Sequence, residues 1–257
     1  MNVRGWLSQR HSLLTEALLV LGLYGAYELA RGLVVGNAAE AERHARELVS
    51  LERSLHVFGE ADVQHAAHAL PGLIGVLGSA YLTLHLTVTV VVLLWLHQRR
   101  PAAFAFIRTT LLVASGLALI GFLLYPTAPP RLAGIGIADT VSNDHISLNH
   151  GLVSSLYNPY AAVPSMHIGY ALVVGASLLR YGRQPLLPAL GVLYAPAVLL
   201  VVVATGNHFF VDAAAGALVA GLGATASLVL TRQPTSARIT ALPTRHEPLP
   251  AIEWHAA

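Results

Sequence analysis

The stretch LLPALGVLYAPAVLLVVVATGNHFFVDAAAGALVAGLGATASLVL, residues 186–230, decides what kind of molecule this is. It holds two apolar runs of about twenty residues, each long enough to cross the ~30 Å hydrocarbon core of a bilayer as a helix. Asp212 is its one formal charge, and a Gly-Asn-His step at Gly206 to His208 separates the runs. Working outward, four further segments have the same character: Leu13 to Val35, Leu73 to Leu96, Thr109 to Tyr125 and the shorter Pro164 to Leu179. With Leu186 to Thr205 and Phe209 to Leu230 these make six, so the expected fold is an all-α integral membrane bundle of six transmembrane helices. An even number puts both termini on one side. Arg4 and Arg10 precede the first run as they would in a signal peptide. That run is too long and lacks a small-x-small cleavage site, so it reads as an uncleaved anchor.

Composition agrees. Of 257 residues 55% are hydrophobic and 11% charged, with a mean hydropathy of +0.61, which leaves little room for a soluble single-domain enzyme. Apolar runs exclude disorder, and a net charge of +2 is too small for nucleic-acid binding. There is no Cys, hence no disulfide, no thiolate nucleophile and no zinc–thiolate or iron–sulfur site. All 15 basic residues are Arg, which with the abundant Ala points to a GC-rich bacterial genome. The 13 His are the main reactive inventory.

Arginine placement sets the orientation. Arg4, Arg10, Arg99, Arg100, Arg108, Arg180, Arg183, Arg232, Arg238 and Arg245 fall on one side of the six spans. Arg31, Arg43, Arg46, Arg53 and Arg131 fall on the other, among most of the acids. The termini are therefore expected in the cytoplasm of a bacterial plasma membrane, and the loops after spans one, three and five outside. The domain layout follows: a cytoplasmic N-terminus over 1–12, a membrane domain over 13–230 and a Pro-containing flexible cytoplasmic tail over 231–257. Residues 38–60 carry Leu48, Leu51, Leu55 and Phe58 at helical spacing, which fits an amphipathic helix on the outer membrane surface or, equally, a solvated helix packed on the loops. Residues 126–163 form the longest irregular segment, expected to be an extracytoplasmic active-site loop.

Three groups of reactive residues end up on that outer face. His208 and Asp212 are four apart on a helix, so the carboxylate can accept from one imidazole nitrogen and leave the other as nucleophile or base. The plain alternative is an interfacial His beside an Asp that bonds a backbone group. Pro164-Ser165-Met166-His167 opens the fourth span. Ser165 there suits a helix cap whose free N–H groups can hold a phosphate, while His167 taken alone reads as an interfacial His. Arg131 closes Tyr125-Pro126-Thr127-Ala128-Pro129-Pro130-Arg131, and its planar fork suits a phosphate or, alternatively, Asp139, Asp144 or lipid headgroups. One out-and-back pair of spans separates His167 from His208, so both return to one membrane face.

These residues resemble the three motifs of the type 2 phosphatidic acid phosphatase superfamily, related to the vanadium haloperoxidases. The contexts Pro126 to Arg131, Asn158 to Pro164 and Thr205 to His208 are most similar to the inositol phosphorylceramide synthase-like branch. The resemblance runs over roughly Ala38 to Leu230 and implies roles. His208 would be the nucleophile that forms a phosphohistidine, Asp212 would orient its ring, and His167 would protonate the leaving oxygen. Arg131, Ser165 and backbone N–H groups would hold the phosphoryl oxygens. Asn207 is a candidate for shaping the substrate pocket, as are Tyr157 and Asn158. No metal or cofactor is implied. Two of the family's usual cations are absent, since Leu124 stands where Lys is usual and Val202 where Arg is usual; Leu132 also replaces a Pro, and Met166 a Gly. Those losses favour a monoanionic phosphodiester, or a replacement cation such as Arg53.

The remaining His have weaker readings. His65 with His68, and His145 with His150, are possible metal-ligand pairs that lack nearby carboxylate partners, while His85 lies inside the second span and either bonds a neighbouring helix or lines a cavity. The expected partners are a phospholipid or other lipid phosphate and the bilayer, with no nucleic acid. The first expectation for function is a metal-independent lipid-phosphate phosphatase. The alternatives are a phosphotransferase that moves a phospho-headgroup to a hydroxyl acceptor, and a non-catalytic membrane carrier or binding protein.

Overall fold

The computed structural model describes residues 14–16, 18, 21–22, 24–32, 37–140 and 158–230. Among these residues the chain is helical, without strands. Helix α1 is helical at 14–16, 18, 21–22 and 24–32. It is followed by α2 (Ala38–Ser54), α3 (Glu60–His68), α4 (Leu73–Arg99) and α5 (Pro101–Leu124), then a 3-10 turn (Pro130–Leu132), α6 (Met166–Tyr181), α7 (Leu186–Ala204) and α8 (Phe210–Leu230).

Four of these, α4, α5, α7 and α8, are long and apolar enough to cross a membrane, and the protein is an integral membrane protein. Helix α6 has 16 residues, about 24 Å of rise, short of a full crossing. The first expected run, Leu13 to Val35, is described only in part. Large apolar side chains such as Val76, Leu123, Leu193, Leu218 and Val229 project outward from the spanning helices, as lipid-facing residues do.

The core helices are drawn together by small residues, since lipid tails supply no hydrophobic drive between helices. A Cβ added to Gly175 on α6 would stand 2.6 Å from the Gly191 carbonyl oxygen of α7, and one added to Gly191 would meet Gly175 at the same distance. One added to Gly223 on α8 would stand 2.7 Å from the Thr110 carbonyl oxygen of α5. Polar side chains add bonds between helices: Ser115 and Tyr170 share a hydrogen bond at 2.8 Å, and Ser227 Oγ donates to the Phe106 carbonyl at 2.8 Å.

Some boundaries differ from the sequence reading. Helix α5 begins at Pro101, not near Thr109, because Pro at the first helical position costs no hydrogen bond. Arg108 therefore sits two turns inside α5, ion-paired with Glu16 of α1, and not in a loop. The helix expected over 38–60 ends at Ser54, where His56 turns the chain with a φ of 58°, and Glu60 opens α3. Helix α2 packs on the loops. Ala41, Ala45, Leu48 and Val49 bury against Ala128, Ala133 and Phe209, while Leu51 and Leu55 stay exposed. Its His44 ring stacks on Tyr125 at 3.9 Å, and His44 Nδ1 is 2.7 Å from the Pro126 carbonyl oxygen. Of the 126–163 segment, residues 126–140 and 158–163 are described.

Candidate active site

The site is built where α8 starts. After α7 ends, Gly206 takes a φ of +69°, a left-handed turn that any Cβ would obstruct, since it would meet Ile137 at 2.9 Å and Arg131 at 3.2 Å. The Val202 carbonyl then accepts the N–H groups of Asn207 and His208, which presents the His208 ring at the mouth of α8. Asp212 Oδ2 accepts the Phe209 N–H at 2.9 Å and lies 3.2 Å from His208 Nδ1. One carboxylate oxygen thus does both of the things that the sequence left as alternatives. With Nδ1 holding its proton toward Asp212, His208 Nε2 keeps its lone pair.

The next two N–H groups of α8 go to residues far away in sequence. Phe210 donates to Glu60 Oε1 at 3.0 Å and Val211 donates to Glu52 Oε1 at 2.7 Å. Both glutamates are fully buried. Carboxylates are favoured at a helix N-terminus, where the peptide dipoles leave partial positive charge. Burial, and then the neighbouring Glu60 carboxyl, push the Glu52 carboxyl up to about 8. Neither residue was singled out from sequence, because nothing local links 52 or 60 to 210.

Helix α6 brings His167. Ser165 occupies the cap position, and its N–H donates to the Asp212 carbonyl at 3.0 Å. That approach depends on Gly216, where a Cβ would lie 2.1 Å from the Ser165 carbonyl oxygen. The Ser165 hydroxyl does not cap the helix as expected; it is fully buried and, among the described residues, makes no hydrogen bond. His167 Nδ1 lies 3.3 Å from His208 Nε2. The His167 ring stacks on Tyr81 at 4.6 Å and meets the His85 ring at 4.2 Å. His85 therefore lines the cavity, one of the two readings given to it above.

His167, His208, Asn207 and Met166 border a cavity of about 160 Å³, which is also lined by Tyr27, Glu28, Arg31 and Asn158. Arg131 stands behind this wall. Its Nε donates to Asn207 Oδ1 at 3.0 Å and its Nη1 to Asp139 Oδ2 at 2.9 Å, the carboxylate pairing noted as an alternative. Gln64 holds the same loop, with Ala138 donating to its Oε1 at 2.8 Å and its Nε2 donating to the Ala138 and Ala204 carbonyls. Leu124 is 74% exposed and does not line the cavity, while Val202 is buried among apolar side chains. Arg53 does not fold in as a replacement: it is exposed and lies over the Phe58 ring. Arg31 and Glu28 are charged cavity residues that the sequence reading did not single out for the site. Their signal was an ionisable pair three apart inside an apolar run. His65 and His68 are exposed on α3 away from the cavity; Tyr157, Asp144, His145 and His150 lie outside the described residues.

Among the described residues, then, two imidazoles and a buried carboxyl group meet beside a cavity at the start of α8. The chain belongs to the PAP2 superfamily, whose family model matches residues 46–226, more than half its length. Members typically act on phosphoesters, which assigns this chain to phosphatase- or phosphotransferase-type enzymes. No curated protein and no solved structure matches it.

Proposed function

We propose that the protein is a metal-independent lipid-phosphate phosphatase of the plasma membrane, with its cavity on the extracytoplasmic face and, counting the partly described α1 and a short, incomplete crossing by α6, six membrane segments in all. The observation that carries this reading is the chain of contacts Asp212–His208–His167, at 3.2 and 3.3 Å, whose two imidazoles line the cavity. In the first step His208 Nε2 attacks phosphorus. The P–N bond forms, the P–O bond to the leaving alcohol breaks, and protonated His167 gives its proton to that oxygen. The phosphoimidazolium is balanced by the Asp212 carboxylate. Water then attacks phosphorus, His167 takes its proton, and the P–N bond breaks to release the phosphate product.

In-line transfer sets nucleophile and leaving group on opposite faces of phosphorus. Substrate must therefore separate two imidazole nitrogens that are 3.3 Å apart here. Ser165 offers a buried hydroxyl with no other bond to make, suited to a phosphoryl oxygen. Arg131 acts from behind, orienting Asn207 at the wall.

The test uses purified protein in detergent with EDTA, supplied with phosphatidic acid or headgroup-labelled phospholipids. Free phosphate or released headgroup is expected from wild type, with His208→Ala lowering turnover by at least about 10⁴-fold. A new labelled lipid that forms only with an added hydroxyl acceptor would instead mark a phosphotransferase. Undiminished turnover in His208→Ala would overturn the phosphohistidine reading.

A further inference from the structure

The cavity has a second charged feature besides its histidines. Arg31 and Glu28, on α1, both line it, with Arg31 Nη1 3.2 Å from Glu28 Oε2 and each side chain about a quarter exposed. The Asn158 side-chain amide donates to the Arg31 carbonyl at 3.0 Å, tying α1 to the segment that leads into Ser165. Arg31 lines the same cavity as His167, His208 and His85. Both residues lie N-terminal to the part of the chain that matches the family, so the family's pattern assigns them nothing.

We propose that Arg31 binds the phosphoryl oxygens of the substrate, and that its pairing with Glu28 selects singly charged phosphodiesters over doubly charged phosphomonoesters. This rests on the phosphoryl-transfer reading above. Phosphoryl transfer needs a cation that faces the oxygens on which charge spreads. Arg131 spends Nε on Asn207 and Nη1 on Asp139 behind the wall, and the side chains at 124 and 202 are apolar. Arg31 brings a guanidinium to the cavity itself, one nitrogen of it on Glu28, and a guanidinium suits phosphoryl oxygens. Glu28 brings a carboxylate to the same place. A phosphomonoester carries up to two negative charges at neutral pH, its second proton leaving near pH ~6, and a carboxylate in the pocket repels the second charge. A phosphodiester carries one, which Arg31 alone can match.

The experiment uses the full chain in detergent, with headgroup-labelled phosphatidylglycerol as diester and phosphatidic acid as monoester. A second arm titrates orthovanadate, a phosphoryl mimic, by ⁵¹V NMR, and so reads Arg31 independently of turnover. Arg31→Gln is expected to lower diester kcat/KM about 100-fold and to weaken vanadate binding at least about tenfold, with Arg31→Lys recovering about a tenth of the activity. Glu28→Gln is expected to move the diester-to-monoester ratio of kcat/KM about tenfold toward the monoester. Wild-type turnover and wild-type vanadate affinity in Arg31→Gln would overturn the role of Arg31. An unchanged ratio in Glu28→Gln would overturn the selectivity. Should Arg31→Gln fail to run as a single species in gel filtration, Arg31→Lys with unaltered vanadate affinity and activity would overturn it equally. Failure of the underlying reading looks different: His208→Ala then keeps its turnover whatever Arg31 does.

Discussion

Helices α8 and α6 each begin at the cavity and each deliver a histidine, but they begin in opposite ways. At α8 the N–H groups of Phe209, Phe210 and Val211 are taken by Asp212, Glu60 and Glu52. At α6 the cap residue is a neutral Ser165, whose hydroxyl bonds nothing. A helix start whose N–H groups are all taken by carboxyl oxygens is a rigid mount with no donor left for a phosphate. One without an anion of its own still has positive dipole to offer. On the proposed reading the difference assigns labour: α8 would hold the His208 nucleophile still, and α6 would have donors to spend on the phosphoryl group.

The sharpest way to break this contrast is Asp212→Asn, which keeps an acceptor for Phe209 but removes the charge that, on the proposed reading, balances a phosphorylated His208. Activity is expected to fall about 10³-fold or more with the protein still folded; activity near wild type would show that α8 does not depend on that charge. Gly216→Ala attacks the seam between the two helix starts, because its Cβ would fall 2.1 Å from the Ser165 carbonyl oxygen. A stability loss of about 1–3 kcal/mol is expected in denaturation, as for other overpacked sites. An unchanged Tm would mean that the two helices need not touch.

Ser165→Ala sharpens the contrast, since removing a buried hydroxyl without a partner should leave Tm level or raise it. Turnover should nevertheless fall about tenfold if the hydroxyl meets the phosphoryl group. A Ser165→Ala protein as active as wild type would return that hydroxyl to a packing role. The last expected effect is in the pH profile. The folded Glu52 carboxyl, pushed up to about 8 from an ordinary 4.5, binds its proton more tightly than the unfolded chain does. Its stabilising contribution is therefore complete below pH 4.5 and is lost as pH rises through about 8. Glu52→Gln keeps an acceptor for Val211 and should flatten the fall in Tm over that window; an identical slope would mean that Glu52 does not titrate there.

The histidine pair was legible because helical periodicity puts His208 over Asp212, and because chain topology returns Pro164 to His167 to the same face. Arg131 was legible as a residue of the site, but its partner choice was not: Asp139 and Asn207 compete with any phosphate for its fork, and only packing decides that competition. Glu52 and Glu60 were illegible for the same reason. They lie about 150 residues from the N–H groups they receive.

What the amino-acid order determined by itself was therefore the membrane character, the all-α fold and the two histidine motifs. These rest on local hydropathy and on spacings of a few residues, which any helix converts into shared faces. Tertiary structure decided which cation faces the cavity, which carboxylates hold the start of α8, and that α2 packs on the loops. Each of those is a contact between segments remote in sequence, set by close approach at glycines such as Gly206 and Gly216 and by the need of buried polar groups to find partners.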